Sequence, residues 1–298
     1  MAFRLEAGET LAVGLGRATA EELRRAHGAL VAEADPEAGV HEARKSLKKV
    51  RAILQLSRAP LGKRHFRAED RRLRDMSRQL AQQRDASVRV ETLDALIAKL
   101  DGGGPARLRR ASRRRLVPQR RRPDDARVRA EIAEALEEVR PGIEGALFLA
   151  GFEAVRPGLA RTYRKGRKRM RKALESPSAA AFHEWRKQVK YLWYHVRLFG
   201  RSWPETLGSL ADELHLLSDF LGDSHDFDLL ESGLRDEGSK DLLFDPAPLL
   251  NALDEARTAR RAAAIDLGRR LYAEDPEGFT ARVETYWRAW RERGRPGG

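Results

Sequence analysis

An eight-residue cationic pattern occurs twice in this chain, and its recurrence limits the fold more than any other feature. HEARKSLK begins at His41 and HEWRKQVK at His183, 142 residues apart, both reading His-Glu-x-Arg-Lys-x-x-Lys. Further along, LAQQRDASV from Leu80 aligns with LGDSHDFDL from Leu221 at an offset of 141, pairing Asp85 with Asp226 and Val88 with Leu229. Two matches at nearly one offset describe a duplicated unit of roughly 140 residues. The periodicity is helical nearly throughout, with no convincing strand. Breaks fall at Asp35-Pro36, Ala59-Pro60, Gly102–Pro105, Arg122-Pro123, Arg140-Pro141, Ser176-Pro177, Trp203-Pro204, Asp245-Pro246 and Asp275-Pro276. Proline suits a first helical turn, so many of these read as helix starts. A unit of about four helices buries its apolar stripes most simply as an antiparallel bundle. The expected fold is all-α: two related helical bundles, residues 1–145 and 146–298, joined within 141–150.

On a helical wheel with His183 at the origin, Arg186, Lys187, Lys190, Tyr194 and Arg197 fall in one band within about 60° of it. In the first copy His41, Arg44, Lys45 and Lys48 form the same band, and Ala43, Leu47, Val50 and Leu54 cluster opposite, toward a core. Each copy is an amphipathic helix with an almost purely cationic polar face. Solvent-facing helices usually intersperse acids with bases, because like charges three and four apart repel. Here Glu42 and Glu184 stand about 100° to the side, placed to brace a cation laterally. Clustered cations cost stability unless an anion relieves them, and the same face twice, headed each time by histidine, is a poor match to chance.

The whole chain has the same bias. Its 298 residues carry a formal net charge of +13, with 35% charged and 41% hydrophobic residues. Such an excess favours a polyanionic partner: nucleic acid, acidic lipid or a phosphate polymer. Cysteine is absent, which excludes disulfides and thiolate metal sites and fits a reducing cytoplasm. We read no leader peptide at the N-terminus and no apolar run long enough to span a membrane. Two segments are intensely basic and carry no acid: 105–122 with nine arginines and 161–172 with eight cations. The first reads equally as a loop and as a binding element. The second feeds into the helix of the second motif copy, which favours binding.

Other chemistries have weaker signals. His215, Asp219, Asp223 and Asp226 share a helical face, and His225-Asp226 forms a doublet, as a metal-dependent phosphohydrolase would need. The first copy has Arg84 where His225 stands, and no matching ligand set occurs elsewhere. Ion pairing suits Asp85 and Asp226 better than metal binding. No Walker-type loop and no Ser/His/Asp nucleophile signature is present, so no catalytic residue, cofactor or metal is expected. His27, His65, His195 and His215 lie outside the repeat and read as structural.

The doubled HExRKxxK helices, the downstream Leu-x-x-x-x-Asp segments and the YRKGRKRMRK approach to the second copy together resemble the CHAD family, over nearly the whole chain. The resemblance implies two four-helix bundles related by a pseudo-twofold axis. It also implies a basic groove or pore between them that binds inorganic polyphosphate, and association with polyphosphate granules. Carried over by motif, the contacts are His41, Arg44, Lys45 and Lys48, then His183, Arg186, Lys187 and Lys190. Tyr163, Arg164, Arg167, Lys168 and Arg171 join them from the adjoining helix. The chain lacks the Glu-x-Glu-x-Lys signature of the triphosphatase barrel fused to some members, so binding without catalysis is the expectation. Nucleic-acid binding is the alternative, though single-strand binders stack bases on aromatics and aromatics here are only 7%. The two histidines either touch phosphate or position the cations that do. In the first case affinity rises as pH falls through roughly 7 to 6.

Overall fold

The computed structural model describes residues 3–32, 34–81, 125–144, 151–236 and 247–293. Among them every regular element is helical. The first half contains α1 (Leu11–Val31), α2 (Pro36–Leu56), the single turn α3 (Arg58–Leu61), α4 (Lys63–Ala81) and α5 (Asp125–Glu144). The second contains α6 (Phe152–Glu175), α7 (Ala179–Phe199), α8 (Pro204–Asp236), α9 (Ala247–Leu271) and α10 (Pro276–Arg293).

The punctuation acts largely as its chemistry dictates. Asp35 caps α2, its carboxylate accepting from the Glu37 and Ala38 N–H groups at 3.1 and 3.0 Å, with Pro36 in the first turn. Asp275-Pro276 repeats the device at α10, and the Ser178 hydroxyl caps α7 through Ala181 N–H at 3.2 Å. Among the breaks that fall on described residues Arg140-Pro141 is the exception, because α5 runs past it to Glu144, whereas Gly102–Pro105, Arg122-Pro123 and Asp245-Pro246 lie outside the described residues. The proline forgoes its own N–H bond there, yet the helix continues for three more residues, so the break read there from sequence does not occur.

In the first half, α1 packs on α2 and α5, and α4 on α2 and α5. In the second, α6 packs on α7 and α10, and α8 on α7 and α9. The halves join where α2 lies against α6 and α7 and where α3 meets α6. One apolar core runs through both, from Leu15 and Leu47 to Trp185, Phe199 and Phe279. Two contacts fix the junction. His195 Nε2 donates to the Ala52 carbonyl at 2.8 Å, fully buried, tying α7 to α2. Gly158 lets the α6 backbone approach Leu56 so closely that a Cβ there would lie 1.9 Å from its carbonyl oxygen. An N-terminal strap crosses α7, with Leu5 N–H donating to Leu198 O at 2.9 Å and Phe3 edge-on to Tyr194. The second repeat match rests partly on Gln82–Val88, which lie outside the described residues, so the duplication stays a reading of the sequence.

Candidate functional site

The two motif helices, far apart in the chain, lie side by side. On α2, Ala43, Leu47, Val50 and Leu54 are buried, as are Trp185, Val189, Leu192 and Val196 on α7. Burial of these stripes forces the motif cations outward. His41, Lys45, Lys48 and Lys187 are exposed, and Arg44, His183, Arg186, Lys190 and Arg197 are half-buried.

Lys190 reports both burial and the crowding of charge. Burial and the neighbouring Arg186, Arg197 and Lys45 push its pKa down to about 8, with Asp219 of α8 opposing them. Lys45 belongs to α2, so cations from both motif copies act on one ammonium. The Lys190 Nζ sits 4.7 Å from the Trp193 ring centre, and Arg197 covers the same ring at 5.0 Å. Arg186 lies against the α8 backbone at Gly222, where a Cβ would meet its Nη2 at 3.0 Å. Glu42 and Glu184 brace lysines from the side, Glu42 with Lys45 at 3.3 Å and Glu184 with Lys187, and Glu184 also faces Arg169 at 3.9 Å. Beneath the face Lys49 is buried and paired with Glu22 at 2.8 Å, and the same carboxylate holds Arg25 at 3.0 Å.

His183 packs on His225 of α8, ring centres 4.4 Å apart. Desolvation, then His225, Lys187 and Arg186, lower the His183 pKa to about 4. Desolvation and Arg186 lower His225 to about 4, and burial lowers His195 to about 4 despite its bond to Ala52. All three are neutral near pH 7, which sets an acid limit on the fold. A histidine depressed below its unfolded value of about 6.5 contributes stability that is complete above that pH and is lost as pH falls toward the folded value. We therefore expect thermal melting followed by circular dichroism to show falling stability between pH 7 and 5.5, by about 1 kcal/mol per histidine at the lower end. A flat profile over that window contradicts the burial assigned to these rings.

Two predicted contacts are corrected. Tyr163 is completely buried, stacked on Phe279 at 4.4 Å with its hydroxyl donating to Leu271 O at 3.0 Å. Tyr194 is 2% exposed beneath Phe3 of the strap. Both lie on cationic faces of the wheel, but other elements cover them, so neither reaches a surface ligand. Of the remaining α6 residues, Arg164 pairs with Glu277 of α10, Arg167 is half-buried, and Lys168 and Arg171 are exposed. The face of α6 turned toward α3 and α7 carries Arg161, Lys165 and Arg169 instead. Burial and Arg58 lower the Arg161 pKa, and burial, Arg161, Arg58 and Arg169 lower that of Lys165. The signal for these three was present, since they stand four apart and so form one helical stripe.

The acidic segment serves as ion-pair partner. His215 Nδ1 meets Asp219 at 3.1 Å and packs on Trp193 at 4.4 Å, Asp223 meets Arg260 at 2.9 Å, and Asp228 holds Arg261 at 2.9 Å. Among the described residues no three His, Asp or Glu side chains converge as a metal site, and no helix is long and apolar enough to cross a membrane. The arginine run 105–122 and Asp85 lie outside the described residues.

No curated protein matches the sequence. Among solved structures, the chain is similar to the CHAD domain from the plant Ricinus communis, with a TM-score of 0.60, 16% identity, and coverage of 92% of this chain and 95% of that one. At that identity the likeness establishes the fold. The family described as CHAD domain matches residues 15–235, most of the chain and both motif helices, and this chain belongs to the CHAD domain family.

Proposed function

We propose that the cationic face where α2 and α7 meet binds inorganic polyphosphate and holds it without cleaving it. The supporting observation is Lys190, an ammonium crowded by Arg186 and Arg197 of its own helix and Lys45 of the other motif helix. Like charge crowded in this way, only partly offset by Asp219 and Glu42, is relieved by an anion with closely spaced charges and no need of base recognition. Arginine contacts two phosphate oxygens at once, and lysine adds a mobile point charge. The aromatics argue against single-stranded nucleic acid as the main ligand. Tyr163 and Tyr194 are buried, Trp193 is covered by Lys190, Arg197 and His215, and half-buried Tyr191 lies under Arg51 at 6.0 Å, so these rings already carry neighbours where a base would stack. The same affinity would carry the protein onto polyphosphate granules.

The test is a competition titration at fixed salt. Long-chain polyphosphate resists displacement by single- or double-stranded DNA at equal phosphate concentration, and its affinity falls steeply with added salt as counterions are released. Displacement by either DNA overturns the reading. Proton linkage gives a second check. A bound polyanion favours the charged form of Lys190, so affinity falls as pH rises from about 7.5 to 9.5. Lys190→Arg flattens that profile, because a guanidinium stays charged throughout. His183, held near 4, contributes no rise in affinity between pH 7 and 6, so its share of the sequence-based expectation moves to more acidic pH.

A further inference from the structure

Lys190 combines two properties that are seldom adjacent. Its amine is half-buried on the Trp193 ring at 4.7 Å, Arg197 covers the same ring at 5.0 Å, Arg186 stands four residues before it along the helix, and the charge of Lys45 acts on it from α2. Asp219 and His215 face this region from α8, bonded to each other at 3.1 Å. A nucleophile with seats for phosphate oxygens around it matches one class of electrophile: an acyl group already carried on phosphate.

We propose that Lys190 is a site of direct acylation by acyl phosphates, with Arg186, Arg197 and Lys45 seating the phosphate group beside the amine. The inference rests on the same face's affinity for phosphate oxygens, and it assigns Lys190 a covalent chemistry beyond reversible binding. The neutral amine attacks the carbonyl carbon and a C–N bond forms. The C–O bond to phosphate breaks, inorganic phosphate leaves with the electron pair, and the displaced proton passes to phosphate or water. Nothing is oxidised or reduced. Burial, reinforced by the neighbouring cations, lowers the Lys190 pKa to about 8 and supplies the neutral amine. At pH 7.5 an amine titrating near 8 is roughly one-quarter neutral, against about one in a thousand for an ordinary lysine. Acylation cancels a charge at the centre of the cluster, so it lowers polyphosphate affinity and links occupancy of the face to the supply of activated acyl groups.

The experiment exposes the full chain to acetyl phosphate at pH 7.5 and follows each lysine by peptide mass spectrometry. Lys190 is acetylated on the order of tenfold faster than the exposed Lys63 of α4. The excess shrinks with an N-hydroxysuccinimide acetate ester, which has no phosphate to seat, and with Lys45→Ala. Equal rates at Lys190 and Lys63 with acetyl phosphate overturn the proposal, and an equal excess with both donors overturns the seating role of the cations. Polyphosphate affinity is measured on the same preparation. Intact binding with no excess at Lys190 sinks this inference alone, whereas excess acetylation in a chain that does not bind polyphosphate sinks the polyphosphate reading and sustains this one.

Discussion

Reversing Lys45 and Lys190 together to glutamate lowers polyphosphate affinity by about a thousandfold, from the loss of two charge-assisted contacts at about 1.5–3 kcal/mol each. The pair tests the junction because it takes one residue from each motif helix, and Lys45 already acts on Lys190 across it. A control of equal charge change is needed, and the structure dictates which. Arg288 and Arg291 look dispensable near the C-terminus, but Arg288 bridges Glu153 and Glu284, and Arg291 donates to the Ala7 and Glu9 carbonyls of the N-terminal strap. Reversing them would confound affinity with folding. Arg269 and Arg270, exposed at the end of α9, are the better control, since the Arg270 guanidinium pairs with Asp266 of its own helix at 3.1 Å. Surface pairs of that kind contribute little. Their reversal changes affinity less than about tenfold, through the long-range field alone. Equal losses in the two double variants, measured by calorimetric titration at one salt concentration, would show that binding follows net charge and that no local site exists.

The helical character and the outward cations were legible in the sequence because both follow from local rules. Asp-Pro caps start helices, and a stripe such as Ala43, Leu47, Val50 and Leu54 turns His41, Lys45 and Lys48 to solvent. Covering by distant segments was not legible. Tyr194 shares the cationic band by angle, but Phe3, nearly two hundred residues earlier, lies across it. Lys49 follows Lys48 in sequence and looks equally available, yet α1 supplies Glu22 to bury it. His183 owes its low pKa first to burial and then to His225 on another helix. A wheel gives direction around one helix axis and says nothing about what lies along that direction. The same limit explains why the α6 stripe Arg161, Lys165 and Arg169 was passed over for its neighbours, since only the placement of α3 and α7 distinguishes the two sides of α6.

The junction beneath this face depends in part on one absent side chain. At Gly158 a Cβ would stand 1.9 Å from Leu56 O, 2.6 Å from its carbonyl carbon and 2.8 Å from its Cα. All three are backbone atoms of α2, so no rotamer change relieves the overlap and the helices must separate. Overpacking of this kind costs about 3 kcal/mol, near the upper end for one added methyl group, because the obstruction is rigid. Gly158→Ala therefore lowers the melting temperature by roughly 5 °C. Separation also draws Arg161 and Lys165 of α6 away from Arg58, so polyphosphate affinity weakens in the fraction that stays folded. Gly208 of α8 supplies the internal comparison. It too is helical, but a Cβ there meets nothing within 4 Å. Gly208→Ala stabilises by about 0.5–1 kcal/mol, because alanine loses less backbone entropy in a helix. The same chemical change thus carries opposite signs at two helical positions, read by thermal melting under identical conditions. Equal shifts at both sites would mean that α6 does not ride on the backbone of α2, and the face would then lack the support that brings its two halves together.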